Sequence, residues 1–566
     1  MIMLQVARKR LSVVPSLIAM MAISACGGGG GGSTPPPPLS SSSPGATSSP
    51  APTNSPSPSP VPSGAPVASD FVCPANDSVA SVARQSNFLV RRSVAHWAYA
   101  SATAQRQRGV QNITLGGQRR YPQTVSGPYF PNNPYFNGFS TTSNVNGLST
   151  APAGSATPAP TYHVAPYDES AAVPGQWDMH AIGLDDAFGY SQVATAGSHY
   201  NANALGVPSI KIAVIDTGVD PNHPSLSSKI AYQRCFLTNP TSGVQSTSNF
   251  SEDPTGHGTD VAGLAAAALN TNPAFGFAGA GGNVTIYAYR VSPTPEDICQ
   301  PPSGATPPPS ATECSVDTTD IAAAINDAVA QRVNIINLSL GGTPCSTSGV
   351  DPDTKEGSAI SKAIAANVIV VAAVGNDGNG AIDSPACDSG VIAVGASALG
   401  DGQTDGSNIG VGSAANPSEY VASYSNFGSP GAAVRSSSAW GIVAPGGDPA
   451  SANDNDFLHW IFNIWTTTPL DSNFAGYCSD DYPHMTGTTA PLDCVTNIAG
   501  TSMAAPHVAG AAALILSVNN SYQSPAKMKQ LLCSTADDIG TSNNEGCGRL
   551  NVYRAMATAL NDPSLP

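Results

Sequence analysis

Five short apolar runs constrain this chain more than anything else in it: IKIAVI at 210–215, VTIYAYRV at 284–291, NIINL at 334–338, VIVVAA at 368–373 and VIAVGA at 391–396. They are near-continuous rather than strictly alternating. Each therefore suits a strand buried on both faces, and such strands belong to parallel sheets covered by helices. Helical periodicity fills the intervals at 320–333, 355–366, 502–518 and 525–533, with Asp317 to Thr319 as cap candidates for the first. The expected fold is α/β: a three-layer, doubly wound, mainly parallel sheet with helices on both faces. Residues 161–566 are ample for one large core, with the excess in loops. In such sheets, sites form beyond the carboxyl ends of the strands.

The first 160 residues do not read as one packed domain. Residues 1–25 have a basic start (Arg8, Lys9, Arg10) and an apolar run too short to span a membrane, which reads as an export signal. Its end, Ile23-Ser24-Ala25-Cys26, resembles the lipobox of bacterial lipoproteins, which implies a lipid on Cys26 and a membrane contact through that lipid only. The stretch 26–69 is rich in Gly, Pro and Ser and has no apolar pattern. It suits a solvated tether that reaches at most ~130 Å as polyproline II. Residues 70–160, with one helix expected around Val79 to Gln107, form either a pro-segment removed by a cut in STAPAGSATPAPTYH or a persisting spacer.

Charge and cysteines narrow the class further. Residues 161–566 hold 12 Lys and Arg against 36 Asp and Glu, whereas residues 70–160 hold 7 Arg against 2 Asp. Opposite charge favours docking of the smaller segment on the larger. With a net charge of −16 and no basic stripe, a nucleic-acid partner is not expected. Beyond Cys26 there are ten cysteines, an even number that fits disulfides in an oxidising compartment. Local spacing suggests Cys299–Cys314, Cys478–Cys494 and Cys533–Cys547 as pairs, although connectivity stays open at this level. No segment after the signal reads as apolar enough to span a membrane. The stretch after the final helix is too short for a transmembrane barrel, which argues against an autotransported form.

The chemistry concentrates in three motifs. In NIAGTSMAAPHVAG, Gly500-Thr501-Ser502 opens a helix and Pro506 sits one turn later. Ser502 alone would be a helix cap. At a first helical turn it also faces unpaired N–H groups and the positive end of the dipole, which suits a nucleophile whose reaction builds an oxyanion. Asp216 ends the first strand in VIDTGVD, His257 lies in TGHGT ahead of a helix, and Asn376 ends another strand in AAVGNDG. Singly, each is a turn or loop residue. Together they supply an orienting carboxylate, a base, a nucleophile and an amide donor, in the chain order Asp, His, Ser.

These motifs resemble those of the subtilisin-like serine proteases over roughly 175–560. The resemblance implies Asp216, His257 and Ser502 as the catalytic triad and Asn376 in the oxyanion hole. It also implies Ser339, Leu340 and Gly341, in NLSLGG, as the strand that pairs with substrate, and Asp383 near the primary specificity pocket. A carboxylate there would favour Lys or Arg. The second His usual after GHGT is Asp260 here. LNTNPAFGFAG at 269–279 resembles the family's calcium loop, but the acidic ligand expected two residues after His223 is Ser225. No metal or cofactor is therefore expected. The insertions at 292–316 and 449–494 exceed the compact members, and the second, with Trp460 and Trp465, either borders the cleft or elaborates the surface. The expectation is an exported, surface-anchored, monomeric serine endopeptidase acting on proteins or peptides. The alternative is a silent surface binding protein on the same fold.

Overall fold

A computed structural model describes residues 71–74, 139–140 and 172–173. It then describes 176–292, 316–400, 418–465 and 494–561, with gaps that include 188–205, 269–276, 429–435 and 450–458. The export signal, Cys26, the tether, the helix expected around 79–107 and the proposed cleavage stretch lie outside the described residues, as do Cys299, Cys314 and Cys478.

Nine strands form the central sheet. They are β3 (Lys211–Asp216), β4 (Ile230–Thr238), β5 (Gln245–Ser248), β6 (Thr285–Arg290), β7 (Ile335–Leu338), β8 (Ile369–Ala373), β9 (Ile392–Gly400), β10 (Ser418–Val421) and β11 (Ile442–Pro445). The order is β10-β9-β8-β7-β3-β6-β4-β5, with β11 also paired to β9. Every pairing is parallel except β9–β10 and β4–β5 at the edges. Two short ladders lie apart: β1 (Phe139–Ser140) with β2 (Ala172–Val173), and β12 (Ile461–Trp465) with β13 (Cys494–Ile498). Each expected apolar run is a strand. The sequence reading missed β4, β5, β10 and β11, whose residues are too mixed or too few to stand out.

Alternate side chains on each strand enter opposite cores, as a period of two requires. Ile212, Val214, Ile286, Ala288, Ile369 and Val371 face one core, which they share with helices α2 (His257–Ala266), α5 (Thr501–Val518), α6 (Pro525–Thr535) and α7 (Val552–Ala559). Ala213, Ile215, Ile336, Leu338, Val370 and Ala372 face the other, with α3 (Thr318–Ala330) and α4 (Thr354–Ala365). The expected three-layer α/β fold is what forms. Local signals set the helix starts: Asp317 accepts from Thr319 N at 2.7 Å, Asp353 accepts from Lys355 N and Glu356 N, and Pro525 opens α6. Helix α5 is long and apolar enough to cross a membrane, which the sequence reading overlooked, but it is the buried core helix of the sheet.

The chain ahead of the sheet is tied in at two places. In α1 (Trp177–Ala181) and the residue before it, Gln176 exchanges hydrogen bonds with Ala278 N and O, and Trp177 Nε1 donates to Trp460 O at 2.8 Å. Far upstream, Cys73 is disulfide-bonded to Cys235 on β4 and buried beside it, with its N–H donating to Ser246 Oγ at 3.1 Å. Cys345–Cys387 and the expected Cys533–Cys547 also form. Spacing could not find Cys73–Cys235, because its partners are 162 residues apart. A consequence follows for processing. A cut at any bond between Pro74 and Gln176 leaves two chains joined by that disulfide. Denaturing electrophoresis of the cut protein should release the N-terminal piece only with reductant, and Cys73→Ser should release it without.

Candidate active site

Strands β3, β7 and β8 are neighbours, and their carboxyl ends carry the residues that matter. Asp216 is the last residue of β3 and is buried. His257 is the first residue of α2, and its Nδ1 lies 2.7 Å from Asp216 Oδ1. A carboxylate only accepts, so Nδ1 carries the proton and Nε2 is left to act as base. Thr217 N donates to the same oxygen at 2.7 Å and fixes it from behind. Burial disfavours the imidazolium, but the Asp216 charge and hydrogen bond, with Asp253 beyond, outweigh it and push the His257 pKa above that of a free imidazole.

A residue that sequence reasoning did not single out holds this pair together. Asp253 Oδ1 accepts from Gly256 N and from Thr217 Oγ1, each at 2.9 Å. Its Oδ2 accepts from Thr259 N and Oγ1, at 2.8 and 2.7 Å. One carboxylate thus caps the helix that bears His257 and grips the residue after Asp216. The readable signal was an Asp just before a helix start, in EDPTGHGT. Gly258 completes the fit: a Cβ there would lie 2.0 Å from Gly218 O and 3.0 Å from Asp216 Cβ. Only glycine lets the helix start come this close.

The Ser502 half is built around a missing hydrogen. Pro506 has no N–H, so the helical bond from residue 506 to the Ser502 carbonyl cannot form. Ser339 Oγ donates to that carbonyl at 2.7 Å instead, and Asn337 Nδ2 donates to Ser339 Oγ at 3.0 Å. Ser502 Oγ in turn donates to Ser339 O at 3.1 Å. Residues 337–339 and 502 are therefore latched in both directions. Asn376, past the end of β8, accepts through Oδ1 from Thr501 N and Thr501 Oγ1, each at 2.9 Å. A backbone N–H can only donate, so this bond settles which end of the amide is oxygen. Its Nδ2 is turned toward the loop, 3.9 Å from where a Cβ on Gly500 would stand.

Asp383 is buried between the two strand ends. Cβ atoms added at Gly341 and Gly375 would come within 3.3 and 2.2 Å of its Oδ2, and its N–H donates to Val374 O at 3.0 Å. Burial, with Asp377 adding repulsion, pushes its carboxyl up to about 8. Leu340 and Gly341 continue the chain from Ser339, half-buried beside it. Near the stretch that resembles the family's calcium loop, Ser225 N donates to His223 Nδ1 at 3.1 Å, and 269–276 lie outside the described residues. No group of three or more His, Cys, Asp or Glu among the described residues is arranged to hold a metal.

The model for the Subtilase family matches residues 208–548, more than half of the chain. The chain belongs to the subtilase family, whose members are serine-type endopeptidases. Halolysin of Haloferax mediterranei is 32% identical over 361 residues, which cover 63% of this chain and 51% of halolysin, so the likeness spans about half of that relative. Thermitase of Thermoactinomyces vulgaris is 30% identical over 61% of this chain and 88% of its own. Among solved structures, a protease of Pseudoalteromonas arctica aligns at 25% identity and a TM-score of 0.45, over 63% of this chain and 92% of that one.

The site predicts its own pH dependence. A base must be unprotonated, and the His257 pKa lies above that of a free imidazole. The acid limb of kcat/KM on a peptide substrate should therefore fall above pH 6.5. A limb at or below pH 6.5 would contradict the charge environment described.

Proposed function

We propose that this subtilase is an exported serine endopeptidase in which Asp216, His257 and Ser502 act as the triad. The observation that carries the reading is the Asp216–His257 hydrogen bond of 2.7 Å, beside a Ser502 loop already fixed by Ser339 and Asn376. Ser502 Oγ exchanges its bond to Ser339 O for one to His257 Nε2, which takes its proton as Oγ attacks the scissile carbonyl. Asp216 stabilises the imidazolium formed. The oxyanion is received by Asn376 Nδ2 and Ser502 N. Because Asn376 is oriented before substrate arrives, no reorganisation accompanies the charge. His257 then protonates the leaving amine, and water, activated by the same imidazole, hydrolyses the acyl-enzyme. The substrate backbone lies along Ser339-Leu340-Gly341 as an added strand.

Export and anchoring belong to the same proposal. Residues 1–25 direct secretion, Cys26 takes the lipid, and 26–69 hold the enzyme off the envelope as a monomer. Residues 70–160 act as the pro-segment. The Cys73–Cys235 link supports a form in which a cut after that segment does not detach the enzyme from its anchor. The substrate class is protein or peptide, with Asp383 reading a Lys or Arg side chain at the cleavage position. A carboxyl with a pKa of about 8 is neutral below it and charged above it, so this preference strengthens as pH rises through 8.

A fluorophosphonate probe should label the wild type and fail on Ser502→Ala, and Asn376→Ala should lose about 10²–10³-fold in kcat, a magnitude known from subtilisin itself. Equal labelling of Ser502→Ala would sink the triad. A peptide-library profile should show Lys and Arg at the cleavage position, lost in Asp383→Asn. An aliphatic or aromatic profile unchanged in that variant would remove Asp383 from the pocket.

A further inference from the structure

Asp260 occupies the first turn of α2, three residues after His257, and it is fully buried. Its partner comes from the insertion at 449–494. Asn463, on β12 and also fully buried, donates through Nδ2 to Asp260 O at 2.7 Å and to Asp260 Oδ1 at 3.0 Å. Room for this approach is made by Gly263, where a Cβ would lie 2.5 Å from Ile464 Cγ1 and 2.9 Å from Asn463 Nδ2. The described start of the insertion is thus not a surface elaboration. It is seated against the helix that carries the base.

Two atoms of this contact have no hydrogen-bond partner: Asp260 Oδ2 and Asn463 Oδ1, both buried. A carboxylate cannot satisfy an amide oxygen, since both groups only accept. A carboxylic acid can, because its O–H donates to the amide oxygen while its carbonyl accepts from the amide N–H. One proton on Asp260 Oδ2 would give the pair the donor that neither orphan atom has.

The surroundings favour that proton. Asp260 is acted on by His257 on its own helix and by the Asn463 N–H, which favour a negative charge, and by Asp178 on α1 and Asp216 on β3, which disfavour one. Burial is the largest influence, and the balance pushes the carboxyl well above its usual range. His257 is faced by Asp216, Asp253 and Asp260. Were Asp260 ionised, it would add to the stabilisation of the imidazolium and leave less free base at neutral pH.

We propose that Asp260 works as a neutral carboxylic acid paired with the Asn463 amide, and that this pair positions His257 while keeping a second negative charge away from it. The role rests on His257 being the general base. It makes the insertion strand a positioning element of the subtilase site.

The test uses the full chain and two independent readouts. Asn463→Asp puts two carboxyls where one proton is shared, so one negative charge stays beside the helix. The acid limb of kcat/KM should move up by roughly one to two pH units, the scale of one added charge acting near the imidazole at an effective dielectric near 20. The exchanged pair Asp260→Asn with Asn463→Asp restores one acid and one amide, and the limb should return toward the wild-type position. In difference infrared spectra at neutral pH, Asp260→Asn should lose one protonated-carboxyl band. A limb unmoved by Asn463→Asp in a folded, fluorophosphonate-labelled enzyme would overturn the proposal. So would a spectrum with no lost band, and this readout holds even if the Asn463 variant fails to fold. Absence of fluorophosphonate labelling in the wild type would instead overturn the triad, leaving the infrared result to decide the acid–amide pair.

Discussion

The Ser502 carbonyl, deprived of its helical partner by Pro506, is the constraint around which this site is organised. A buried carbonyl without a donor costs about 1–3 kcal/mol, so the fold must supply one from elsewhere. It comes from Ser339 Oγ at 2.7 Å, itself held by Asn337 Nδ2 at 3.0 Å. That single substitution of donor fastens the helix bearing Ser502 to the end of β7. Because Asn376 then meets Thr501 N, the same loop is also fastened to the end of β8. A proline that would weaken an ordinary helix here ties the turn bearing Ser502 to the end of β7.

Parallel pairing does the rest. With β8, β7 and β3 side by side and running the same way, the residues past their ends emerge on one edge. Asp216, Ser339 and Asn376 therefore lie at one edge of the sheet although the sequence separates them widely. Asp253 brings His257 into the group by capping α2 and gripping Thr217 with the same carboxylate. Buried acids recur around the site with different partners: Asp216 with an imidazole, Asp253 with N–H and hydroxyl donors, Asp260 with an amide, and Asp383 with little beyond a distant Asn426 contact at 3.5 Å. The same residue type thus meets four different environments.

Much of this was legible in the sequence, for a physical reason. Strands buried on both faces carry few polar residues, so β3, β6, β7, β8 and β9 announced themselves, and the polar residues at their ends stood out by contrast. Helices with Asp317, Ser502 and Pro525 near their starts were equally plain. The edge strands were not: Gln245–Ser248 is entirely polar, and Ile230–Thr238 mixes Gln, Arg and Thr with apolar residues. The contacts missed were long-range. Cys73–Cys235 and Asn463–Asp260 join residues 162 and 203 apart, and no local pattern encodes such a meeting. Asp253 lay closer to view, but its helix starts at a glycine that hides the cap. The role of Pro506 needed Ser339, which only tertiary structure brings to it.

The central claim is that Ser339 serves the Ser502 carbonyl because Pro506 cannot. A double-mutant cycle in the Ser502→Ala background tests it, since that background removes self-digestion and keeps the backbone carbonyl. Pro506→Ala returns an N–H one turn from residue 502. Unfolding by urea should therefore show Ser339→Ala costing about 1–3 kcal/mol with Pro506 present and clearly less once Pro506→Ala is added. Equal cost in both backgrounds, with the two substitutions adding simply, would mean that the carbonyl does not depend on Ser339.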